Sequence, residues 1–383
     1  MLIALAIIIS LSLIVFIHEL GHFIVGRLFK VRVEEFGFGY PPRLFGLTKV
    51  GNKNKFFFGR REPKEEHGTI YSFNWIPFGG FNRLKGEEAG GKKESDSFSF
   101  KPWWQRLLIT LSGAGMNIIL AAILLAITSG LGSYQEITPE ILNSRLVIKD
   151  IRIQLIAISP NSPASISGLK VNDKIINIDS QAPKEVVDIQ NYFKDKVGKT
   201  IKIIVERNNQ QIELSVQPKP ANQVFPDETS TGGVIGVAIS KVGRVYYPIH
   251  LAVWSGISKT FLLLGSIVQG FYLFFKELIF HHKMIAEAAG VVGLAAMTAD
   301  AAKMGIVYLM QFVAVVSLLI AVTQLIPFPA LDGGRGVFFV IEGIFRKPVK
   351  PSIENAINGI GFTLLLILII YVTYNDIMKL IVH

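Results

Sequence analysis

Two histidines and a glutamate near the amino terminus form the strongest candidate for a reactive centre. The segment His18-Glu19-Leu20-Gly21-His22 lies in a run that is compatible with an α-helix. Its four-residue spacing places both imidazoles on one helix face, one turn apart, where they can bind the same zinc ion. Glu19 is next to His18 and can reach a water molecule at the metal. The pattern predicts a zinc site at which Glu19 lies close enough to meet a metal-bound water.

The setting of this segment favours a functional site within a membrane. The seventeen residues before His18 carry no charge, and ionisable groups at membrane depth are costly and usually functional. A polar helix end at the membrane interface is the alternative. The same run could be the cleaved signal peptide of a secreted soluble zinc protease. However, no basic segment precedes it and no small-residue cleavage pattern follows it closely, so an uncleaved first span is favoured.

A catalytic zinc ion needs a third protein ligand and an open position. The chain has no cysteine, which excludes thiolate ligands. Asp332 is the best candidate, because Pro327-Phe-Pro-Ala-Leu-Asp-Gly-Gly334 interrupts the end of a long apolar run. Prolines end a helix, and an unwound segment at membrane depth is tolerated where it lines a cavity or is buried in protein. A plain helix-stop turn with a capping aspartate is the alternative.

The other histidines are weaker candidates for metal binding. His281 and His282 are rival ligands, but they lie beside Lys283 and an interfacial pair is the favoured interpretation. The remaining three fall in polar or terminal settings and are interpreted as surface residues: His67, His250 and His383.

A further polar residue lies inside the second apolar run. In Ser112-Gly-Ala-Gly-Met-Asn117 the small residues allow neighbouring helices to approach closely. Asn117 is a buried amide that needs a partner. It either ties helices together or contacts the substrate backbone or the reacting centre.

The elements that must position these residues are apolar helices separated by two charged loops. Half of the residues are hydrophobic and mean hydropathy is +0.43, which is too apolar for an ordinary soluble domain. We predict a polytopic α-helical membrane protein with four transmembrane helices, at 1–30, 103–131, 303–334 and 355–380. Three further regions are predicted: a membrane-associated β region with a loop over 31–100, a compact α/β module over 145–220, and amphipathic or re-entrant helices within 221–300.

Loop charge predicts the orientation in the membrane. Residues 27–106 carry sixteen Lys and Arg against nine Asp and Glu, whereas 132–248 carry fourteen against twelve. The first loop is therefore predicted to be cytoplasmic, and the amino terminus and the second loop extracytoplasmic. For Asp332 to reach the depth of His18, its span must run in the same direction as the first. This is possible only if the stretch 249–280 does not cross the membrane, so it is predicted to be a surface or re-entrant region.

The dispersed basic residues favour membrane orientation signals over nucleic-acid binding.

In its motifs the chain resembles the site-2 proteases, in particular the bacterial regulator-of-sigma-E-protease type. The resemblance is carried by His18-Glu-Leu-Gly-His22, Ser112-Gly-x-x-x-Asn117 and Pro327-x-Pro-x-Leu-Asp-Gly333. The segments Gly37-Phe-Gly and Ile76-Pro-Phe-Gly-Gly-Phe81 are similar to the membrane-associated β region of that family. The α/β module is similar to its PDZ domain. Together they cover nearly the whole chain in the family's order.

The resemblance implies an intramembrane protease with one Zn²⁺ held by His18, His22 and Asp332, and with Glu19 catalytic. It implies an inner-membrane location, contact with the lipid bilayer, and single-pass membrane substrates already trimmed by another protease, such as anti-sigma factors or signal-peptide remnants. Support for substrate binding or the transition state is assigned to Asn117, Gln324, Gly79 and Gly80.

The sequence departs from the family pattern at three places. Gln324 stands where an asparagine is usual, Gly290-Val-Val-Gly293 lacks a common proline, and there is room for one PDZ domain rather than two. The departures do not affect the predicted metal ligands. A non-catalytic membrane PDZ scaffold is the alternative function, and the oligomeric state is left open.

Overall fold

The computed structural model describes residues 2–59, 67–87, 94–207, 210–225, 229–280 and 290–382. His281, His282 and His383 lie outside the described residues. The chain divides into two compact units. The first unit contains 1–127 and 253–383, and the second contains 128–252.

The elements follow one another along the chain as α1 (Leu2–Leu28), β1 (Val33–Val50), β2 (Lys53–Phe58), β3 (Ile70–Leu84), α2 (Trp103–Leu131), β4 (Ser133–Glu136), α3 (Pro139–Leu142), β5 (Val147–Ile158), α4 (Pro163–Ile166), β6 (Lys174–Ile178), α5 (Val186–Lys194), β7 (Ile201–Arg207), β8 (Gln210–Val216), β9 (Lys219–Pro220), α6 (Ala221–Val224), β10 (Gly233–Val234), β11 (Val237–Tyr246), α7 (Ile249–Phe280), α8 (Val291–Met304), α9 (Ile306–Leu325), α10 (Asp332–Phe345) and α11 (Pro351–Val382).

Among the described residues, five helices are long and apolar enough to cross a membrane: α1, α2, α7, α9 and α11. Four of them match the predicted spans. The fifth, α7, covers the stretch predicted to lie at the surface or to re-enter. It is one unbroken helix of 32 residues, about 48 Å long at 1.5 Å per residue, so no re-entrant turn interrupts it. Because α7 is also long enough to cross the membrane, helix length does not decide between four and five spans. Four spans therefore stay a prediction.

The helices of the first unit pack through a stripe of small and aliphatic side chains. On α2 the buried positions recur every three to four residues and include Ala114, Asn117 and Ala121, each 0% exposed. The opposite face of α2 carries exposed isoleucines, as expected for contact with lipid: Ile119, Ile123 and Ile127. Ile14 of α1 and Leu318 of α9 join α2 in one apolar cluster. The helices that carry His18, Asn117 and Gln324 therefore share a core.

A three-stranded sheet in the order β2-β1-β3 lies against α1. Both long strands are bent at register shifts, and Phe38 of β1 pairs with Gly80 of β3. The glycine pair lets β3 come very close to the helix: a Cβ at Gly79 would lie 2.6 Å from Val15, and one at Gly80 would lie 3.0 Å from Phe16. The β region predicted from 31–100 is therefore present, and it is held beside the helix turn that precedes His18.

The second unit contains a six-stranded sheet in the order β4-β11-β5-β6-β7-β8. Its core packs α5 onto the sheet through Ile189, which is 0% exposed, and Phe193, which is 4% exposed. The predicted module ended near residue 220. The structure instead places β4 and β11 in the same sheet, with Val242 paired to both Glu136 and Arg152. Since these pairings join segments about a hundred residues apart, local sequence patterns do not reveal them.

Candidate metal centre and active site

Three side chains from distant parts of the chain converge at one point in the first unit. His18 Nε2 lies 3.1 Å from Asp332 Oδ2, and His22 Nε2 lies 3.4 Å from the same oxygen. The two Nε2 atoms are 3.2 Å apart. The structure thus brings together the two histidines of α1 and the aspartate at the start of α10.

The triangle of ligand atoms has the size that zinc requires. Bonds of about 2.0–2.1 Å in a tetrahedron give ligand-to-ligand distances of about 3.3 Å. The three observed distances, 3.1, 3.2 and 3.4 Å, agree with that edge length. Two imidazoles and one carboxylate are also a donor set used by catalytic zinc sites, which keep a fourth position open. The residues present therefore fit a zinc ion.

The second ring nitrogen of each histidine has its own environment. His22 Nδ1 lies 2.8 Å from the Ile109 carbonyl oxygen, to which it donates, so that Nε2 is free to bind a metal. His18 Nδ1 lies 3.5 Å from the Asn117 amide. Asn117 is fully buried and its Oδ1 has no partner among the described residues. The oxygen and nitrogen of an amide are assigned by the hydrogen-bond network, so a rotated amide would place the acceptor against His18 Nδ1.

The segment between α9 and α10 places Asp332 at the metal centre. After α9 ends at Leu325, the chain continues through the prolines, and Ala330 takes a left-handed conformation at φ 71°. A Cβ at Gly333 or Gly334 would collide with backbone carbonyl groups of this segment. These glycines allow the tight turn that begins α10 at Asp332. Gln324 accepts a long hydrogen bond, 3.5 Å, from the Asp332 backbone N–H.

Two further glycines bring α2 against the histidines. A Cβ at Gly21 would collide with the Ser112 carbonyl group. A Cβ at Gly113 would lie 2.6 Å from Nε2 of both His18 and His22. Gly113 is therefore a site residue, although the sequence analysis named it only as part of the motif from Ser112 to Asn117 and gave it no role of its own. The small residues from Ser112 onward were the available signal.

A cavity of about 350 Å³ opens at the metal centre. It is lined by the three candidate ligands, by Glu19 and by Gln324. Asn117, Gly79 and Gly80 are outside its described lining: Asn117 faces His18, and the glycines contact α1. The lining also includes four residues for which the sequence carried no signal: Tyr40, Asn82, Glu87 and Arg335.

An ion pair bridges two elements at the cavity. Arg335 Nη1 lies 2.8 Å from Glu87 Oε1, and Arg335 also donates to the Glu87 backbone oxygen. Arg335 is one helical turn after Asp332, so the pair connects the metal-binding helix to the segment that follows β3. Of the other histidines in the described residues, His67 donates to a backbone carbonyl and His250 is exposed.

The chain combines apolar helices of membrane-spanning length with a cavity that holds two histidines, an aspartate and a glutamate. This combination fits a membrane metalloprotease. The model of Peptidase family M50 matches residues 6–368. The chain therefore belongs to this family, the site-2 proteases, and is a zinc metalloprotease.

Relatives that match almost the whole chain support this assignment. A protein of Fusobacterium nucleatum named "putative zinc metalloprotease" is 30% identical over 97% of this chain and 98% of its own length. One of the same name from Clostridium perfringens is 31% identical over 96% of each chain. A crystal structure of the PDZ domain of an SdrC-like protein from Listeria innocua is 26% identical, covers 23% of this chain and 92% of that one, and has a TM-score of 0.20. The family assignment rests on the family model and the full-length relatives.

Proposed function

We propose that this protein is an intramembrane zinc metalloprotease that cleaves the transmembrane segments of single-pass membrane proteins after a prior cut. The observation that carries the proposal is the convergence of His18, His22 and Asp332 between helices whose outward faces are apolar. Anti-sigma factors and signal-peptide remnants are the substrate classes we favour. Both would bring a peptide bond to the cavity from within the bilayer.

In this proposal His18, His22 and Asp332 hold one zinc ion, which supplies Lewis-acid polarisation and activates water when bound. Glu19 lines the same cavity. It accepts the proton of the attacking water and later delivers a proton to the leaving amine. Asn117 positions His18 by accepting a hydrogen bond from its Nδ1. Gln324 supports the start of α10 through the Asp332 backbone N–H.

A substrate helix must unwind before its peptide bond can react, because its carbonyl groups are engaged in backbone hydrogen bonds. We propose that the unwound segment is held extended along β3. Gly79 and Gly80 support this role indirectly. They allow β3 to pack closely against Val15 and Phe16 of α1. A peptide added to the sheet would therefore run beside the turn that carries His18.

We propose a topology with the amino terminus and the second unit extracytoplasmic and 31–100 cytoplasmic. Four helices cross, and α7 lies at the surface, which lets α1 and α9 run in the same direction and bring His18 and Asp332 to one depth. An accessibility scan along 249–280 tests this. If the two ends of α7 label from different compartments, the proposed topology is wrong.

We propose that the second unit acts as a PDZ module. It either binds the exposed carboxyl termini of trimmed substrates by strand addition or excludes bulky ectodomains. Deleting 150–220 separates these alternatives. Loss of a size filter lets untrimmed substrates be cut, whereas loss of a binding site slows cleavage of trimmed ones.

The proposed function is tested by proteolysis of a model transmembrane substrate by the purified chain in detergent, with and without a zinc chelator. Cleavage that the chelator abolishes and added zinc restores is the expected result. Glu19→Gln should keep zinc at one equivalent and abolish cleavage, because the amide cannot accept the proton. Zinc binding without cleavage by the wild type would favour the non-catalytic scaffold.

A further inference from the structure

One amide at the active-site cavity has no hydrogen-bond partner among the residues that the structure describes. Asn82 lies on β3, opposite Phe36 of β1. Its Oδ1 and Nδ2 are both shielded from solvent, and neither has a hydrogen-bond partner within the described part of the chain. Buried polar groups are almost always paired in folded proteins. An amide with both ends unpaired is therefore an exception that calls for a ligand.

The position of Asn82 indicates which ligand it meets. Asn82 lines the 350 Å³ cavity together with His18, Glu19 and Asp332. It also lines a second, larger cavity of about 880 Å³, and Leu84, Glu87 and Arg335 are likewise common to both linings. Asn82 thus stands where the metal cavity meets a wider space, at a point that an extended chain would pass on its way to the catalytic glutamate.

A second asparagine on the same strand, Asn74, has a structural role. The Nδ2 of Asn74 donates to the Gly39 carbonyl oxygen at 2.8 Å and ties two segments of the sheet together. Asn74 is 1% exposed and is absent from the described lining of both cavities. Asn82 makes no such connection. The Oδ1 of Asn74 has no partner among the described residues, but its Nδ2 ties the amide to the fold. The two residues therefore form a matched pair: the amide of Asn74 is held by the sheet, whereas the described residues hold neither end of the Asn82 amide at the cavity wall.

We propose that Asn82 is a substrate-contacting residue whose carboxamide pairs with a backbone peptide group of the substrate near the scissile bond. A side-chain amide offers N–H donors and a carbonyl acceptor, and one peptide group offers the complementary C=O and N–H. An unwound transmembrane segment exposes such groups where lipid gives them no partner. Because the contact is made to the substrate backbone, its strength does not depend on the substrate side chains. The proposal rests on the proposed proteolytic function.

The test combines variants with substrates altered in the backbone. A synthetic transmembrane substrate is made as a series in which one peptide bond at a time, on either side of the scissile bond, is replaced by an ester that lacks the N–H. Wild type, Asn82→Leu and Asn82→Ala are compared, and Asn74→Leu is the control. Zinc content and folded fraction are measured for each, so that kcat/KM refers to zinc-loaded, folded protein.

Asn82→Leu and Asn82→Ala should each lower kcat/KM by about tenfold on the all-peptide substrate, with zinc content unchanged. At one position of the series the ester should slow the wild type by about tenfold and slow both Asn82 variants no further, because partners in one hydrogen bond are non-additive. Asn74→Leu should reduce stability but retain kcat/KM and the full ester penalty.

Equal ester penalties in wild type and Asn82 variants at every position would overturn the proposal, because Asn82 would then make no contact with the substrate backbone. A loss of activity that follows zinc content or folded fraction would also overturn it. Failure of the proposed function is distinguishable, because the zinc-loaded wild type would then cleave none of the substrates.

Discussion

Gly113→Ala is expected to weaken zinc binding strongly by adding a single methyl group. Gly113 lies on α2 where that helix crosses the histidines of α1. The added Cβ would lie 2.6 Å from Nε2 of His18 and of His22, the two atoms proposed to bind the metal. Both rings must move away from the position in which their nitrogens meet Asp332.

The required displacement is large compared with what a metal site tolerates. Ordinary contacts of a Cβ atom begin near 3.4 Å, so a contact of 2.6 Å must open by about 0.8 Å. Ligand distances in functional metal sites lie within about 0.2 Å of their ideal values. Changes to groups that only orient ligands typically weaken metal affinity by about 10–100-fold. Because this change displaces two ligands directly, we expect a loss of at least about 100-fold, or about 2.7 kcal/mol.

The assay is a competition titration of zinc against a chromophoric chelator, with the protein in detergent. Gly115→Ala is the matched control, because it lies on the same helix and a Cβ there meets nothing within 4 Å. Alanine is the better helix former by about 1 kcal/mol, so the control should bind zinc as the wild type does and be at least as stable. If Gly113→Ala binds zinc within threefold of the wild type while Gly115→Ala is normal, then α2 does not approach the histidines in this way.

The remaining predictions concern a positioning residue and the second unit. Asn117→Leu should weaken zinc binding by about 10–100-fold, whereas Asn117→Asp should retain it, because only the latter keeps an acceptor for His18 Nδ1; equal affinities for the two would exclude this role. Asp173 is 1% exposed and accepts two hydrogen bonds from Arg207, at 2.7 and 2.6 Å. Asp173→Ala should destabilise this unit by about 2–3 kcal/mol, measured as faster amide hydrogen exchange within 150–220.

Each of these changes has its own control. Ser317→Ala removes a 2.9 Å hydrogen bond to the backbone oxygen of Asn117 without touching His18, so it should leave zinc affinity unchanged. For Asp173→Ala, exchange in the helices of the first unit should be unaltered. Protection lost across the whole chain would show instead that the two units unfold together.

The local features of the site were predictable because they follow from the geometry of one helix or one turn. Four residues in a helix are one turn, so His18 and His22 share a face wherever the helix lies. The interruption at 327–334 was equally predictable, since prolines end a helix and glycines permit the turn before α10. Both features depend only on residues close in sequence.

Other features depend on how separate elements pack, and the sequence alone did not contain them. His18 and Asp332 are 314 positions apart in sequence and are brought to a 3.1 Å contact only by the packing of α1, α2 and α9. Asn82 and Gly113 gave no individual signal, because their roles depend on the side chains opposite them. The same holds for β11, whose pairing with β5 extended the second unit beyond its predicted limits.

The amino-acid sequence by itself thus determined which groups are available for the chemistry and which of them share a helix face. The tertiary structure decided how far apart those groups are, and which polar atoms remain without a partner. The physical reason is that spacing along a helix is set by backbone hydrogen bonds between near neighbours. Spacing between helices is set by the size of side chains that meet across the core, as the missing Cβ of Gly113 illustrates.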